Sequence, residues 1–131
     1  MNDYSTIIFN RVRDAVTNKF PKCHCTSSAT AGEKAELPAL LVSFAFPSED
    51  ADLADSSGEE VWTRTVCTAE AYSGTSQYEA KGILKTADEA MRSMGFRRSN
   101  YTEVPNADKS VRRFQITWRA KADRHGNIAN W

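Results

Sequence analysis

The feature that most constrains the fold is a run of alternating side chains near the end of the chain. From Val111 to Ala122, apolar and polar residues alternate almost without exception. Successive side chains of a β-strand point to opposite faces, so the run predicts a strand with one face in a core. The core side would carry Phe114, Ile116, Trp118 and Ala120, and the other side Arg113, Gln115, Thr117, Arg119 and Lys121.

Other segments also have the composition of strands. The segment from Leu40 to Phe46 is apolar on nearly both faces, which is typical of a strand inside a sheet. The segment from Val61 to Tyr72 is rich in Thr, Val and aromatic residues, which favour strands. In chain order, we expect strands at 22–30, Leu40–Phe46, Val61–Tyr72, Phe96–Val104 and Val111–Ala122, with residues 105–109 as a hairpin loop.

Two segments have helical periodicity. Residues 3–20 repeat apolar side chains at helical spacing, and Pro21 blocks continuation. The second helix begins with the capping-box pattern Ser76–Glu79, in which each residue can satisfy a backbone N–H of the other. Its apolar stripe ends before Gly95, which suits the left-handed position after a helix. That stripe consists of Ala80, Ile83, Leu84, Ala87, Met91 and Met94.

The order α-β-β-β-α-β-β predicts an α+β fold. Consecutive strands with short links indicate a mostly antiparallel sheet of about 4–5 strands, with both helices packed on one face. At 131 residues the chain matches the common size of one domain, so we expect a single domain over residues 1–131. Within it, residues 47–60 would form a long acidic loop and residues 123–131 a polar tail.

Composition narrows the classes of function. Lys plus Arg equals Asp plus Glu at 17 each, and this zero net charge argues mildly against a duplex DNA binder. No apolar stretch is long enough for a membrane helix, and the N-terminus lacks the pattern of a signal peptide. The chain has three cysteines, an odd number that fits reduced thiols better than a disulfide framework. We therefore expect a cytoplasmic protein.

The sequence contains no convincing catalytic or metal-binding motif. In Cys23-His24-Cys25, the side chains of adjacent strand residues would point to opposite faces of the sheet. A zinc site or a Cys–His nucleophile is therefore disfavoured. The acidic residues near Asp50 lack the spacing of a calcium-binding loop. Phosphate-binding glycine loops and hydrolase triads are also missing from the sequence. We therefore expect no enzymatic activity, no cofactor and no bound metal.

Charge is distributed unevenly along this neutral chain. The segment 48–60 is acidic, and the C-terminal hairpin is basic. The hairpin has three interpretations: a nucleic-acid surface, a solvated sheet face, or a contact with the acidic loop of a neighbouring subunit. We favour the third, because opposite patches on one chain suit a head-to-tail ring. The candidate interface residues are Glu49, Asp50, Asp52, Asp55, Arg97, Arg98, Arg113, Arg119 and Lys121.

The order of elements resembles that of the tail-terminator proteins of long-tailed phages and prophages, also called tail-completion or head–tail joining proteins. The resemblance covers residues 3–122 and consists of an element order with common residue types. The segments that carry it are Tyr4-Ser5-Thr6-Ile7-Ile8, Leu37-Pro38-Ala39-Leu40-Leu41-Val42, the loop to Glu60, Val61-Trp62-Thr63-Arg64-Thr65-Val66 and Phe114-Gln115-Ile116-Thr117-Trp118-Arg119-Ala120.

The resemblance implies a structural protein of the virion. It implies a homo-oligomeric ring, typically of six subunits, which caps the tail tube, ends its polymerisation and offers a docking surface to the head connector. Its partners would be itself, the tail tube protein and the connector, with DNA only passing through. The protein would act in the host cytoplasm during assembly and then at the head-proximal end of the tail. The alternatives are another neck or minor tail protein, or a nucleic-acid-binding accessory protein that uses the basic hairpin.

Overall fold

Two helices lie on one face of a mostly antiparallel sheet in the computed structural model of the chain. The structure describes residues 3–27, 37–45, 48–49, 62–105, 110–123, 125 and 127–129. The predicted α+β class and the predicted order of the main elements are confirmed. The elements are α1 (Ser5–Lys19), β1 (His24–Thr26), β2 (Ala39–Phe44), β3 (Ser48–Glu49), β4 (Trp62–Ser73), α2 (Gln77–Ser93), β5 (Arg97–Glu103), β6 (Arg112–Asp123) and β7 (Ile128–Ala129).

The sheet is built around its two longest strands. β4 and β6 pair antiparallel over twelve residues each, from Trp62 opposite Asp123 to Ser73 opposite Arg112. The strand order is β1-β2-β4-β6-β5. β1 pairs with β2 in parallel, whereas the short links between consecutive strands indicate antiparallel pairing. The twelve residues between these two strands match the length that a parallel connection needs.

Two short strands lie in segments that were expected to be irregular. β3 pairs with β4 beside β2, so Ser48 and Glu49 of the expected acidic loop 47–60 belong to the sheet. Ile128 and Ala129 form β7 on β6, so the expected polar tail 123–131 also contributes a strand. Residues 47 and 50–60 of the acidic loop lie outside the described residues.

The start of α2 differs in one detail from the expected capping box. Ser76 caps the helix as predicted, because its Oγ accepts a hydrogen bond of 3.0 Å from the backbone N–H of Glu79. The Glu79 carboxylate does not reach back to Ser76. It accepts a hydrogen bond of 2.7 Å from Ser73 Oγ, and that hydroxyl accepts the Ser76 N–H at 3.2 Å. The serine at the end of β4 thus links the strand to the helix cap.

The core lies between the helices and the sheet. Its largest fully buried side chain is Trp118, on the face of β6 that the alternation assigned to the core. Gly82 lets α1 approach α2 closely, since a Cβ at this position would lie 3.0 Å from Phe20 Cζ. Gly95 has the predicted left-handed conformation, with φ of 105°. Among the described residues, no helix has the length and apolar character to cross a bilayer.

Candidate functional site

The sheet face opposite the two helices, here called the open face, is the candidate docking surface. Along β4 the even-numbered residues are half-buried, whereas the odd-numbered ones are buried towards the helices. The β4–β6 register places the odd-numbered residues of β6 on the same open face. This face carries Leu41, Trp62, Arg64, Val66, Thr68, Glu70, Tyr72, Arg113, Gln115, Thr117, Arg119 and Lys121.

Positive charge is concentrated at one end of the open face. Arg119 lies directly opposite Arg97 of β5, and Arg64 lies directly opposite Lys121. Like charges at opposite positions of neighbouring strands are unfavourable. Lys121 also lies over the ring of Trp62, 5.1 Å from its centroid. The register of the strands therefore places several cationic side chains side by side at this end of the open face.

Four arginines surround the start of β5, and we call them the arginine cluster: Arg92, Arg97, Arg98 and Arg119. One cavity of about 200 Å³ is lined by Arg97, Arg98, Ser99 and Arg119. A second, of about 340 Å³, is lined by Arg92, Phe96, Arg97 and Arg98. Such a group of guanidinium groups around shallow cavities suits an anionic ligand with several carboxylate or phosphate groups.

The other end of the open face is neutralised within the chain. Arg113 makes a bidentate contact with Glu70, with Nη2–Oε1 and Nε–Oε2 distances of 2.8 Å and 3.2 Å. The same carboxylate accepts a hydrogen bond of 2.6 Å from the Tyr72 hydroxyl. Burial, followed by the hydrogen bond to Glu70, raises the pKa of Tyr72 to about 12. The hydrogen bonds to Glu70 also raise the pKa of Arg113.

The structure thus places the predicted basic interface residues in different parts of the fold. Arg97 and Arg119 lie together in the arginine cluster, and Lys121 is the next open-face residue along β6. Arg113 lies at the far end of the sheet and pairs with Glu70. Arg98 turns to the helical side, where it donates a hydrogen bond of 3.1 Å to Asp88.

The acidic half of the predicted interface is only partly described. The backbone of Glu49 pairs with Thr63 at the edge of β4. Asp50, Asp52 and Asp55 lie outside the described residues. The contact between this segment and the basic hairpin therefore stays a prediction.

Asp88 was not among the residues singled out in the sequence. It is a buried carboxylate on α2, and it accepts a hydrogen bond of 2.8 Å from Trp118 Nε1 in addition to the one from Arg98. Asp88 lies four residues after Leu84 and three before Met91, so it falls on the apolar stripe of α2. This helical spacing is the sequence signal that could have identified a buried carboxylate. Asp88 fixes Arg98 and thereby one wall of both cavities.

The three cysteines occupy different environments. Cys23 and Cys67 are buried, and Cys25 is half-buried. A hydrogen bond from Cys23 lowers the pKa of Cys25, and the same contact raises the pKa of Cys23. His24 is exposed, unlike its two neighbours. Within the described ranges, no three His, Cys, Asp or Glu side chains form a group that could hold a metal ion.

Two comparisons by sequence find no relative of the chain. No protein-family model matches the chain, and a search of curated proteins finds no significant match either. Candidate roles for this surface therefore depend on its geometry and on the resemblance in element order.

Proposed function

We propose that the chain is a structural docking protein that forms a ring and caps the tail tube of a long-tailed phage or prophage. In this role it ends polymerisation of the tube and provides the surface to which the head connector binds. The protein would assemble in the host cytoplasm and remain at the head-proximal end of the tail. These specific roles come from the resemblance in element order.

The composition of the open face is the observation that supports docking. Its half-buried side chains combine aromatic rings, aliphatic groups and arginines, as Trp62, Tyr72, Val66 and Arg64 illustrate. Protein interfaces are enriched in Trp, Tyr and Arg relative to other surfaces. A face of this composition, on a sheet whose other side packs against two helices, is suited to contact with another folded surface.

Assembly can be tested by measuring native mass and by electron microscopy. The protein is analysed alone and after mixing with tail tubes from the phage or prophage that encodes it. We expect rings in solution or at one end of the tubes, and tubes that stop growing when the protein is present. A protein that stays monomeric in both conditions and leaves tube growth unchanged would refute the proposal.

A pair of variants tests which face docks. Val66→Glu places a charge in the middle of the open face, and Tyr78→Glu makes a comparable change on α2, where Tyr78 is 88% exposed. We expect Val66→Glu to abolish binding to tube ends or to the neighbour, and Tyr78→Glu to behave as the wild type. Circular dichroism of both variants checks that they fold. The opposite pattern would assign docking to the helical face.

A nucleic-acid-binding accessory protein is the second candidate. The arginine cluster favours it, together with Tyr101, which is 39% exposed and lines a cavity on the helical side with Arg98. Base stacking on such a ring and phosphate contacts to arginine are the usual elements of single-strand binding. Binding of a labelled oligonucleotide that falls steeply with added salt would support this role.

A further inference from the structure

Cys23 and Cys25, here called the dithiol, lie together at an edge of the sheet that the proposed docking does not use. They flank His24 along an extended segment, so their side chains point to the same face. Cys23 belongs to the hydrophobic core and Cys25 packs against it, whereas His24 is exposed. Both thiols are free, and a hydrogen bond joins them. The pair therefore has the proximity that a bond between two sulfur atoms requires.

Cys25 is the member of the dithiol that is suited to react first. It is half-buried, whereas Cys23 is only 5% exposed. The hydrogen bond from Cys23 and the nearby guanidinium of Arg13 on α1 lower the pKa of Cys25, against the opposing effect of burial. Arg13 also contacts Asp14 at 3.3 Å, but both side chains are well exposed and water screens their interaction. Because thiolates are the nucleophiles in thiol chemistry, Cys25 is the reactive thiol.

Cys23 has the properties of a second, resolving thiol. The hydrogen bond to Cys25, burial, and the negative charges of Cys25 and of Glu79 on α2 raise the pKa of Cys23. Cys23 therefore stays protonated while Cys25 is a thiolate. A reaction that caps the Cys25 sulfur removes its negative charge and weakens it as a hydrogen-bond acceptor. Cys23 can then lose its proton and attack the sulfur that it already contacts.

The backbone at this edge is compatible with a bond between the two residues. Cα atoms two residues apart in a strand are separated by about 6.6 Å, which lies within the range of about 4.4–6.8 Å found for disulfides. β1 has three residues, and Cys23 lies just before it. Among the described strands, β1 pairs with β2 alone. A short edge strand of this kind can shift to close the ring without breaking the centre of the sheet.

We propose that the dithiol is a site of reversible oxidation by a low-molecular-weight disulfide such as oxidised glutathione. The Cys25 thiolate attacks one sulfur of the small disulfide, so a mixed disulfide forms and one small thiolate leaves. Cys23 then attacks Cys25 Sγ, and its proton passes to the second small thiolate as that departs. Two protein thiols are thus oxidised to one disulfide, and the small disulfide is reduced to two thiols. This site does not depend on the proposed ring, so either can fail without the other.

The central experiment incubates the folded full chain with excess oxidised glutathione at about pH 8. Free thiols are then blocked with iodoacetamide, and the tryptic peptides are weighed. Both cysteines of the dithiol lie in the peptide of residues 23–34, between Lys22 and the cleavage after Lys34, whereas Cys67 lies in another. We expect the first peptide to become lighter by two hydrogen atoms, with two reduced glutathione molecules released per chain. Excess reduced glutathione should restore both thiols.

Single-cysteine variants separate the two roles. Cys23→Ala should stop at the mixed disulfide, so that the peptide keeps the mass of one glutathione. Cys25→Ala should react at least about tenfold more slowly than the wild type, because the remaining thiol is buried. Cys67→Ala is the matched control and should close the Cys23–Cys25 bond at the wild-type rate. Circular dichroism checks each fold, and the wild-type result decides the matter if a variant does not fold.

Charge variants in the Cys23→Ala background test the part played by Arg13. Arg13→Gln should move the midpoint of the pH–rate profile for mixed-disulfide formation upward by about half a pH unit, because the pKa of Cys25 rises. Arg11→Gln, at an exposed position of the same helix, is the matched control and should leave the midpoint in place. Equal midpoints in the two variants would exclude Arg13 from the site.

Three outcomes would overturn the inference itself. A stable glutathione adduct on wild-type Cys25 would mean that Cys23 does not resolve it. Absence of any reaction in the folded wild type would mean that the two thiols are packed and inert. Modification of the Cys25→Ala variant at the wild-type rate would mean that Cys25 is not the attacking thiol.

Discussion

Replacing Asp88 by alanine should destabilise the protein more than most single substitutions. The Asp88 carboxylate accepts a hydrogen bond of 2.8 Å from Trp118 Nε1, and the Trp118 side chain is fully buried. It also accepts a hydrogen bond from Arg98, which remains partly exposed. Asp88→Ala would leave the indole N–H without this acceptor, in a place that water does not reach.

The size of the effect follows from burial. A buried donor left unsatisfied costs about 1–3 kcal/mol, and hydrogen bonds to charged groups contribute about 1.5–3 kcal/mol. The partly exposed ion pair with Arg98 adds at most about 1 kcal/mol. These contributions overlap, so we expect Asp88→Ala to lower the free energy of unfolding by about 3 kcal/mol. For a chain of this length the midpoint of thermal unfolding should fall by about 10 °C.

Urea denaturation followed by circular dichroism measures this change. Asp88→Asn keeps an acceptor for the indole and loses the charge, so it should cost about 1 kcal/mol. Trp118→Phe removes the donor, and a double-mutant cycle with Asp88→Ala isolates the energy of the pair. A loss below about 0.5 kcal/mol for Asp88→Ala, the range of ordinary surface substitutions, would refute the reasoning. Equal losses for Asn and Ala would mean that the charge, and not the indole hydrogen bond, matters.

Two further predictions test the backbone and the thiols. Gly95→Ala should destabilise the protein by about 1–3 kcal/mol in urea denaturation, because φ is 105° and a Cβ would lie 2.6 Å from Ile128 O; an unchanged midpoint would contradict this. At pH 8, Cys25 should react with iodoacetamide well before Cys67 in peptide mapping, because a hydrogen bond from Cys23 lowers the pKa of Cys25 and burial raises that of Cys67. Faster modification of Cys67 would count against the described packing.

The main elements could be predicted because their sequence patterns are local. The alternation in β6 fixes which face is buried, as the burial of Phe114 and Trp118 confirms. The capping serine and Gly95 mark the ends of α2 within a residue or two. Such patterns depend on side chains a few positions apart, so one sequence is enough to recognise them.

The short strands and the parallel pairing could not be predicted, because they depend on which strands become neighbours in the folded sheet. β3 and β7 are only two residues long and form strands because β4 and β6 offer edges to pair with. The parallel pairing of β1 with β2 is likewise a matter of tertiary arrangement. Short segments of this kind have no periodicity of their own.

The candidate site was partly predicted for the same reason. The basic character of the hairpin is visible in the sequence, but the register decides which charges are neutralised. Glu70 lies 43 residues before Arg113, and only the pairing of β4 with β6 brings them to 2.8 Å. The same register sets Arg97 against Arg119. The sequence could therefore identify the charged strand but not which charged side chains become its neighbours.

The edges of the sheet limit how copies of the chain can join. β1 has only three residues, and β5 has a bulge between Arg98 and Asn100 and is exposed along its whole length. Short, charged or irregular edges are poor templates for a further strand, which protects a protein from unlimited fibril growth. Under the proposed self-association, copies would recognise each other through side chains, and assembly could then be reversed by ionic strength and end at a fixed number of subunits.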